Sequence, residues 1–165
     1  MQHVQTRSTT SALVLTAVLI ALATLFTMYT KIPVPGIRGY FNVGDVVIMT
    51  SALLLGRKYG AYIGAIGPAL ADLFLGYAVF VPITFVVKGI EGYLVGTVYN
   101  NKTTTSALVA TIVGGIIIVA GYFIAEYFVF DPGVAIASIV TNTIKAVMSV
   151  IISMILYAIL RKRLG

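Results

Sequence analysis

The sequence contains no cysteine and no tryptophan, and it has one histidine, His3, among 165 residues. Without cysteine there is no disulfide, no thiolate metal ligand and no thiol nucleophile. A single histidine near the N-terminus cannot build a zinc site, nor the nucleophile–base pair that hydrolytic enzymes need. We therefore expect no enzymatic activity, no metal site and no cofactor.

Charged residues are also scarce. They make up 10% of the chain, whereas hydrophobic residues make up 59%, and the mean hydropathy is +1.04. A soluble domain of this length could not bury so much apolar surface, so the composition indicates an integral membrane protein. The net charge of +6 comes from basic residues that mostly lie between apolar runs. That pattern is typical of topology signals in a lipid bilayer, and we expect no binding of nucleic acid.

Six apolar runs are separated by turn-forming residues. A spanning helix needs about 20 apolar residues, and proline and glycine mark where each run stops. We expect helices at about 10–29, 44–56, 59–77, 105–130 and 134–160, with the fourth of the six beginning after Pro82 and ending near residue 99. Pro68 predicts a kink in the third. The sequence predicts an all-α bundle of six transmembrane helices, forming one domain over residues 1–165.

The basic residues between the runs are unevenly divided between the two sides of the membrane. With six spans, the N-terminus, the second and fourth connections and the C-terminus share one side. That side holds Arg7, Arg57, Lys58, Lys102, Arg161, Lys162 and Arg163, and the other holds Lys31 and Arg38. Because cytoplasmic segments are enriched in Lys and Arg, we expect both termini in the cytoplasm.

Six ionisable residues interrupt the apolar runs. They are Asp45, Asp72, Lys88, Glu91, Glu126 and Lys145. Each costs about 2.5–3.5 kcal/mol at a bilayer centre, so such groups face a protein interior or a wet cavity. All six fall in the predicted outer half or at mid-depth, which favours a cavity open to the outside. The alternative is that Lys88 pairs with Glu91, or Lys145 with an acid, only to neutralise buried charge.

Helical spacing gathers several of these residues on two faces. Thr84, Lys88 and Glu91 share a face of the fourth helix, and Ser138, Asn142, Lys145 and Ser149 share one of the sixth. Two such faces can enclose a ligand pocket, and Tyr40 and Phe41 in the first outer loop are placed to cover a ring-shaped ligand. Asp45 begins a helix, so capping of its backbone is the alternative role there.

Small residues and glycines predict close helix contacts. Ala17 and Ala21 form a small-xxx-small step that allows another helix to approach, within the bundle or from a partner. Glycines recur at Gly60 and Gly64 on the third helix and at Gly92 on the fourth. They are not phosphate loops, since no G-x-x-x-x-G-K-[ST] motif occurs anywhere in the chain. We therefore expect no nucleotide site of its own.

Several motifs resemble those of the S component, the substrate-binding membrane subunit of energy-coupling factor (ECF) vitamin transporters. They are N-V-G-D at 42–45, G-x-x-x-G at 60–64, G-x-A-L-A-D-L at 67–73 and K-G-I-E-G at 88–92. Within that family they are most similar to the branch for hydroxymethylpyrimidine or vitamin B6. The length, the six predicted helices and the Ala17/Ala21 step agree over the rest of the chain.

The resemblance implies a high-affinity binding subunit for a small vitamin or precursor in the plasma membrane of a prokaryote. It implies a transmembrane T component that docks on small residues of the first helix, here Ala17 and Ala21. It also implies two separate cytoplasmic ATPases that hydrolyse ATP. The substrate-binding residues expected on this basis are Tyr40, Phe41, Asn42, Asp72, Thr84, Lys88, Glu91, Glu126, Asn142 and Lys145.

Other functions stay open from the sequence. Within the family, the ligand could instead be riboflavin, pantothenate or a queuosine precursor. Outside it, the chain could be a membrane assembly protein with no vitamin ligand, or a small channel. The almost purely apolar inner halves of the predicted helices argue against a channel. A secondary transporter would show inverted repeats with paired broken helices, and Pro68 has no counterpart three spans later.

Overall fold

The computed structural model describes residues 9–33, 40–99 and 103–164. The described helices are α1 (Thr9–Tyr29), α2 (Gly44–Leu55), α3 (Arg57–Phe74), α4 (Phe80–Val98), α5 (Thr104–Val129) and α6 (Pro132–Leu164). Between α1 and α2, the two-residue strands β1 (Ile32–Pro33) and β2 (Tyr40–Phe41) pair antiparallel. The predicted six-helix architecture is confirmed, with this short ribbon as the one addition in the described part of the chain.

Three helix boundaries differ by at least three residues from the predicted ones. The fourth helix begins at Phe80 rather than after Pro82, because a proline fits the first turn, where the backbone N–H has no partner in the helix. The third helix ends at Phe74, three residues before its predicted end, and Gly76 follows with a φ of 81°. The sixth continues to Leu164, past its predicted end at 160.

Four helices, α1, α4, α5 and α6, are long and apolar enough to cross a membrane. Helix α2 is apolar but has 12 residues, a length of about 18 Å, against a hydrocarbon core of about 30 Å. Its residues from Gly44 to Leu53 are all buried, so α2 is an internal helix wrapped by the others. The predicted cytoplasmic position of both termini stays a prediction.

Glycines bring α3 and α4 into backbone contact. A Cβ at Gly64 would overlap the carbonyl oxygen of Lys88, and one at Gly60 would lie 2.6 Å from the carbonyl oxygen of Gly92. Helix α1 packs on α2 and α3 and makes no comparable contact with the other described helices. The bundle therefore contains a tight α3–α4 pair, and α1 lies at its periphery.

Candidate functional site

A polar cavity lies between the helices, towards the end of the bundle where α1 and α3 end and α4 and α6 begin. It is lined by Thr27, Asn42, Pro68, Asp72, Phe80, Thr84, Lys88, Tyr122, Glu126, Ser138, Thr141, Asn142 and Lys145. All except Pro68 and Phe80 carry a polar side-chain atom. The cavity measures about 40 Å³, room for a few water molecules. A site of this kind suits a small polar molecule.

Lys88 lies in the cavity wall between two buried carboxylates. Its Nζ pairs with Asp45 of α2 and donates a hydrogen bond of 3.0 Å to Oε2 of Glu91, one turn further along α4. None of the three side chains is more than 2% exposed. Because one ammonium faces two carboxylates, the lysine is fully compensated by the protein itself. We call Asp45, Lys88 and Glu91 the Lys88 group.

The role of Asp45 differs from helix capping, the alternative that the sequence left open. No side chain caps α2 from its N-cap residue, and Asp45 instead joins α2 to α4 through Lys88. It is Oδ1 of Asn42 that accepts a hydrogen bond from the backbone N–H of Gly44, at 2.9 Å. This bond fixes the amide of Asn42 in the cavity wall.

Tyr122 of α5 lies beside both cavity lysines. Its hydroxyl is hydrogen-bonded to that of Thr84 at 3.0 Å. The Nζ atoms of Lys145 and Lys88 lie 4.7 and 5.4 Å from its ring centroid, within the range of cation–π attraction. Unlike Lys88, Lys145 has no ion pair with any described residue, although its side chain is only 4% exposed. Its ammonium is therefore available to a ligand.

Two carboxyl groups add acidic character to the cavity. Glu126 of α5 accepts a hydrogen bond from the hydroxyl of Ser138 on α6, and Asp72 lies in the wall formed by α3. Both are 3% exposed. Acidic and basic side chains thus line one small space, which can bind a molecule that both donates and accepts hydrogen bonds.

The structure brings seven of the ten predicted substrate-binding residues to this cavity. They are Asn42, Asp72, Thr84, Lys88, Glu126, Asn142 and Lys145. Glu91 does not line the cavity. Its side chain accepts a hydrogen bond from Lys88 and so helps to hold that lysine in the cavity wall. The side chains of Tyr40 and Phe41 lie outside the described residues. Ligand binding by any of these residues stays a prediction.

Six lining residues are not among the ten predicted substrate-binding residues, although the sequence placed Ser138 on the polar face of the sixth helix. They are Thr27, Pro68, Phe80, Tyr122, Ser138 and Thr141. Two of them carried a usable signal. Ser138 precedes Asn142 by four residues on one face of α6, and Tyr122 precedes Glu126 by four on α5. The other four had none, because a threonine, proline or phenylalanine in an apolar helix is ordinary.

The outer surface of α1 is unpartnered in the described chain. Ala17 and Ala21 are both exposed, so the alternative that this step serves packing within the bundle is wrong. On a different face of α1, an apolar groove of about 1000 Å³ runs between α1, α2 and α6. Within the described residues, no three histidine or acidic side chains are grouped as metal ligands.

Comparison with known proteins identifies similar membrane proteins. A family model described as "ECF-type riboflavin transporter, S component" matches residues 7–162. An uncharacterised protein from the gap 3′ region of Pyrococcus woesei is 41% identical over 145 residues, which are 86% of this chain and 96% of that protein. The thiamine precursor transporter HmpT of Lactococcus lactis subsp. cremoris (strain MG1363) is 28% identical over 149 residues, 89% of this chain and 83% of HmpT.

A solved structure has the same fold. It is a crystal structure of the S-component for biotin from an ECF-type ABC transporter, and it superposes with a TM-score of 0.64 over 94% of each chain. The sequences are 20% identical, so this likeness concerns the fold alone.

Proposed function

Because the chain belongs to the ECF-type S-component family, we propose that it captures hydroxymethylpyrimidine, a thiamine precursor, for import. As a member of this family it is a multi-pass protein of a prokaryotic plasma membrane and the substrate-binding part of a transporter, not an enzyme. Membership of the family does not identify the ligand, since the family model is named for riboflavin and the similar solved structure is an S-component for biotin. The choice rests on the cavity, and the similarity to HmpT supports it.

The observation that carries the proposal is the small size and mixed charge of the cavity. Because the cavity measures about 40 Å³, a single six-membered ring needs only side-chain adjustment to fit. The three fused rings of riboflavin would require the helices to separate. Eleven of the thirteen lining residues also carry a polar side-chain atom, which suits a ring whose edge consists of donors and acceptors. Hydroxymethylpyrimidine is such a ring.

The groups of the ligand have complementary partners in the wall. The exocyclic amino group of the pyrimidine can donate to the carboxylate of Glu126 or Asp72, and a ring nitrogen can accept from the ammonium of Lys145. The faces of Phe80 and Tyr122 offer aromatic surface for the ring. Vitamin B6 is the second candidate, because its phenolate oxygen would also suit Lys145, which has no ion pair with a described residue.

We further propose that the chain works with a transmembrane T component and two cytoplasmic ATPases. The chain carries no Walker A motif, which agrees with ATP hydrolysis on partner subunits. The exposed step of Ala17 and Ala21 on α1 is the surface we assign to the T component.

Thermal unfolding with a ligand panel tests the proposal. The purified chain would be melted with hydroxymethylpyrimidine, three B6 vitamers, thiamine, riboflavin, pantothenate and biotin. A ligand at 100 times its Kd stabilises by about 2.7 kcal/mol, and we expect this from hydroxymethylpyrimidine. Glu126→Gln should weaken the stabilisation. Thr97→Val, whose exposed hydroxyl bonds only its own helix at the carbonyl of Tyr93, should keep it.

Any other result of the ligand panel would indicate a different ligand or function. Stabilisation by a B6 vitamer alone would replace the pyrimidine with vitamin B6. Stabilisation by riboflavin or biotin would contradict the size argument. If no compound stabilised the chain, the vitamin assignment would be wrong and the assembly-protein alternative would gain support.

A further inference from the structure

Thr27, near the end of α1, has a hydroxyl that the described chain leaves unused. Its side chain is 1% exposed and lines the polar cavity. Its Oγ1 has no hydrogen-bond partner among the described residues. Threonines in apolar helices commonly bond the carbonyl four residues back, as Thr16 and Thr24 of the same helix do. Thr27 does not, so its hydroxyl is free for a ligand.

The neighbours of Thr27 define which ligand group fits. Gly44 at the start of α2 lies so close that a Cβ there would overlap Oγ1 of Thr27, and the same Cβ would lie 3.1 Å from Oδ1 of Asn42. Because that oxygen already accepts from the N–H of Gly44, Asn42 has its two amide N–H donors to offer. A threonine hydroxyl that can accept, beside an amide that donates, is complementary to an alcohol.

On the basis of the function proposed above, we propose that Thr27 binds the hydroxymethyl group of the ligand and thereby couples cavity occupancy to the position of α1. The ligand hydroxyl donates to Oγ1 of Thr27 and accepts from the amide of Asn42. The sequence motifs identified neither Thr27 as a binding residue nor this coupling.

The coupling follows from how α1 is held in the bundle. Helix α1 contacts only α2 and α3 among the described helices, and Thr27 is its single residue in the cavity lining. A ligand bound to Thr27 therefore adds a direct connection between α1 and the residues of α4, α5 and α6 across the cavity. Occupancy should reduce opening of the last turn of α1.

A double comparison of protein and ligand tests the inference. The dissociation constants of hydroxymethylpyrimidine and of its deoxy analogue, 4-amino-2,5-dimethylpyrimidine, would be measured by calorimetry with wild type and Thr27→Val. We expect the variant to bind hydroxymethylpyrimidine about three- to tenfold more weakly, the range for one neutral hydrogen bond. It should bind the deoxy analogue as wild type does. Thr27→Ser should restore the preference for the hydroxyl.

Thr50→Val is the matched control. Thr50 is also buried and its hydroxyl also has no described partner, but it lines the apolar groove rather than the cavity. This variant should leave both affinities unchanged. Hydrogen exchange of the backbone amides at 25–29 should slow on binding in wild type and in Thr50→Val, and less so in Thr27→Val.

The outcomes separate the two proposals. The role of Thr27 is refuted if wild type binds hydroxymethylpyrimidine and Thr27→Val weakens the affinity for both ligands by the same factor. It is also refuted if Thr27→Val changes neither affinity. If wild type binds neither pyrimidine, the proposed ligand is wrong, whatever Thr27 does. Should Thr27→Val not fold, Thr27→Ala provides the same comparison of the two ligands.

Discussion

The two buried lysines of the cavity should respond in opposite ways to the same substitution. Lys88 and Lys145 both line the cavity, both lie near the ring of Tyr122, and neither is more than 4% exposed. Lys88 has two carboxylate partners, whereas Lys145 has none among the described residues. Replacement by methionine keeps most of the side-chain volume and removes the charge.

For Lys88→Met, the expected loss of stability comes from the acids left behind. Asp45 and Glu91 would remain buried with no opposite charge, and breaking a buried pair in this way costs about 3–5 kcal/mol. For a chain of this size that corresponds to a fall in Tm of about 6–20 °C. Lys145→Met leaves no described acid without its partner, so the free energy of unfolding should stay the same or rise.

Circular dichroism at 222 nm is the suitable assay, because the chain has no tryptophan for fluorescence. Glu91→Gln serves as the control within the Lys88 group. It leaves Lys88 with Asp45 and should cost much less than Lys88→Met. Ligand binding adds a second measurement, since Lys145→Met should weaken binding although its stability is intact. Equal losses of Tm in the two lysine variants would refute the distinction between a compensated and a free ammonium.

Two further predictions concern helix contacts. Gly64→Ala should destabilise by about 1–3 kcal/mol, because its Cβ would overlap the Lys88 carbonyl. Gly115→Ala should cost less, since its Cβ would lie 3.3 Å from the Cβ of Ala146 and would overlap no backbone atom; thermal melts of both variants check this. Leucine at both Ala17 and Ala21 should abolish co-purification with a T component and leave ligand binding unchanged. Leucine at Ala137 of α6, which is also exposed, should leave both unchanged.

The sequence predicted the helices well because each apolar run is bounded by residues that end helices. It also predicted much of the cavity, since a charged residue in such a run must face inward. Helical spacing placed Asn142 and Lys145 on one face, and both line the cavity. What spacing could not supply was the partner of a charge on another helix. The pairing of Lys88 with Asp45 joins residues 43 positions apart, and only the packing of α2 on α4 brings them together.

Thr27 illustrates the same limit for polar residues without charge. The chain has many threonines, and two on α1, Thr16 and Thr24, bond their own backbone. Nothing in the sequence distinguishes Thr27 from Thr24, three residues earlier. The difference arises in three dimensions, because Thr24 also reaches the carbonyl of Gly67 on α3, whereas Thr27 turns to the cavity.

The polar interior thus divides into groups that the protein satisfies and groups that it leaves for a ligand. The Lys88 group is internally paired, so it should contribute to the stability of the empty chain. Lys145 has no described ion pair and Thr27 no described hydrogen bond, so the empty chain bears a cost for their desolvation. A ligand that supplies their partners relieves that cost, and this relief adds to its affinity. Substitutions in the first set should therefore lower the Tm of the free protein. Those in the second should leave that Tm unchanged or raise it, and should reduce the shift that the ligand produces.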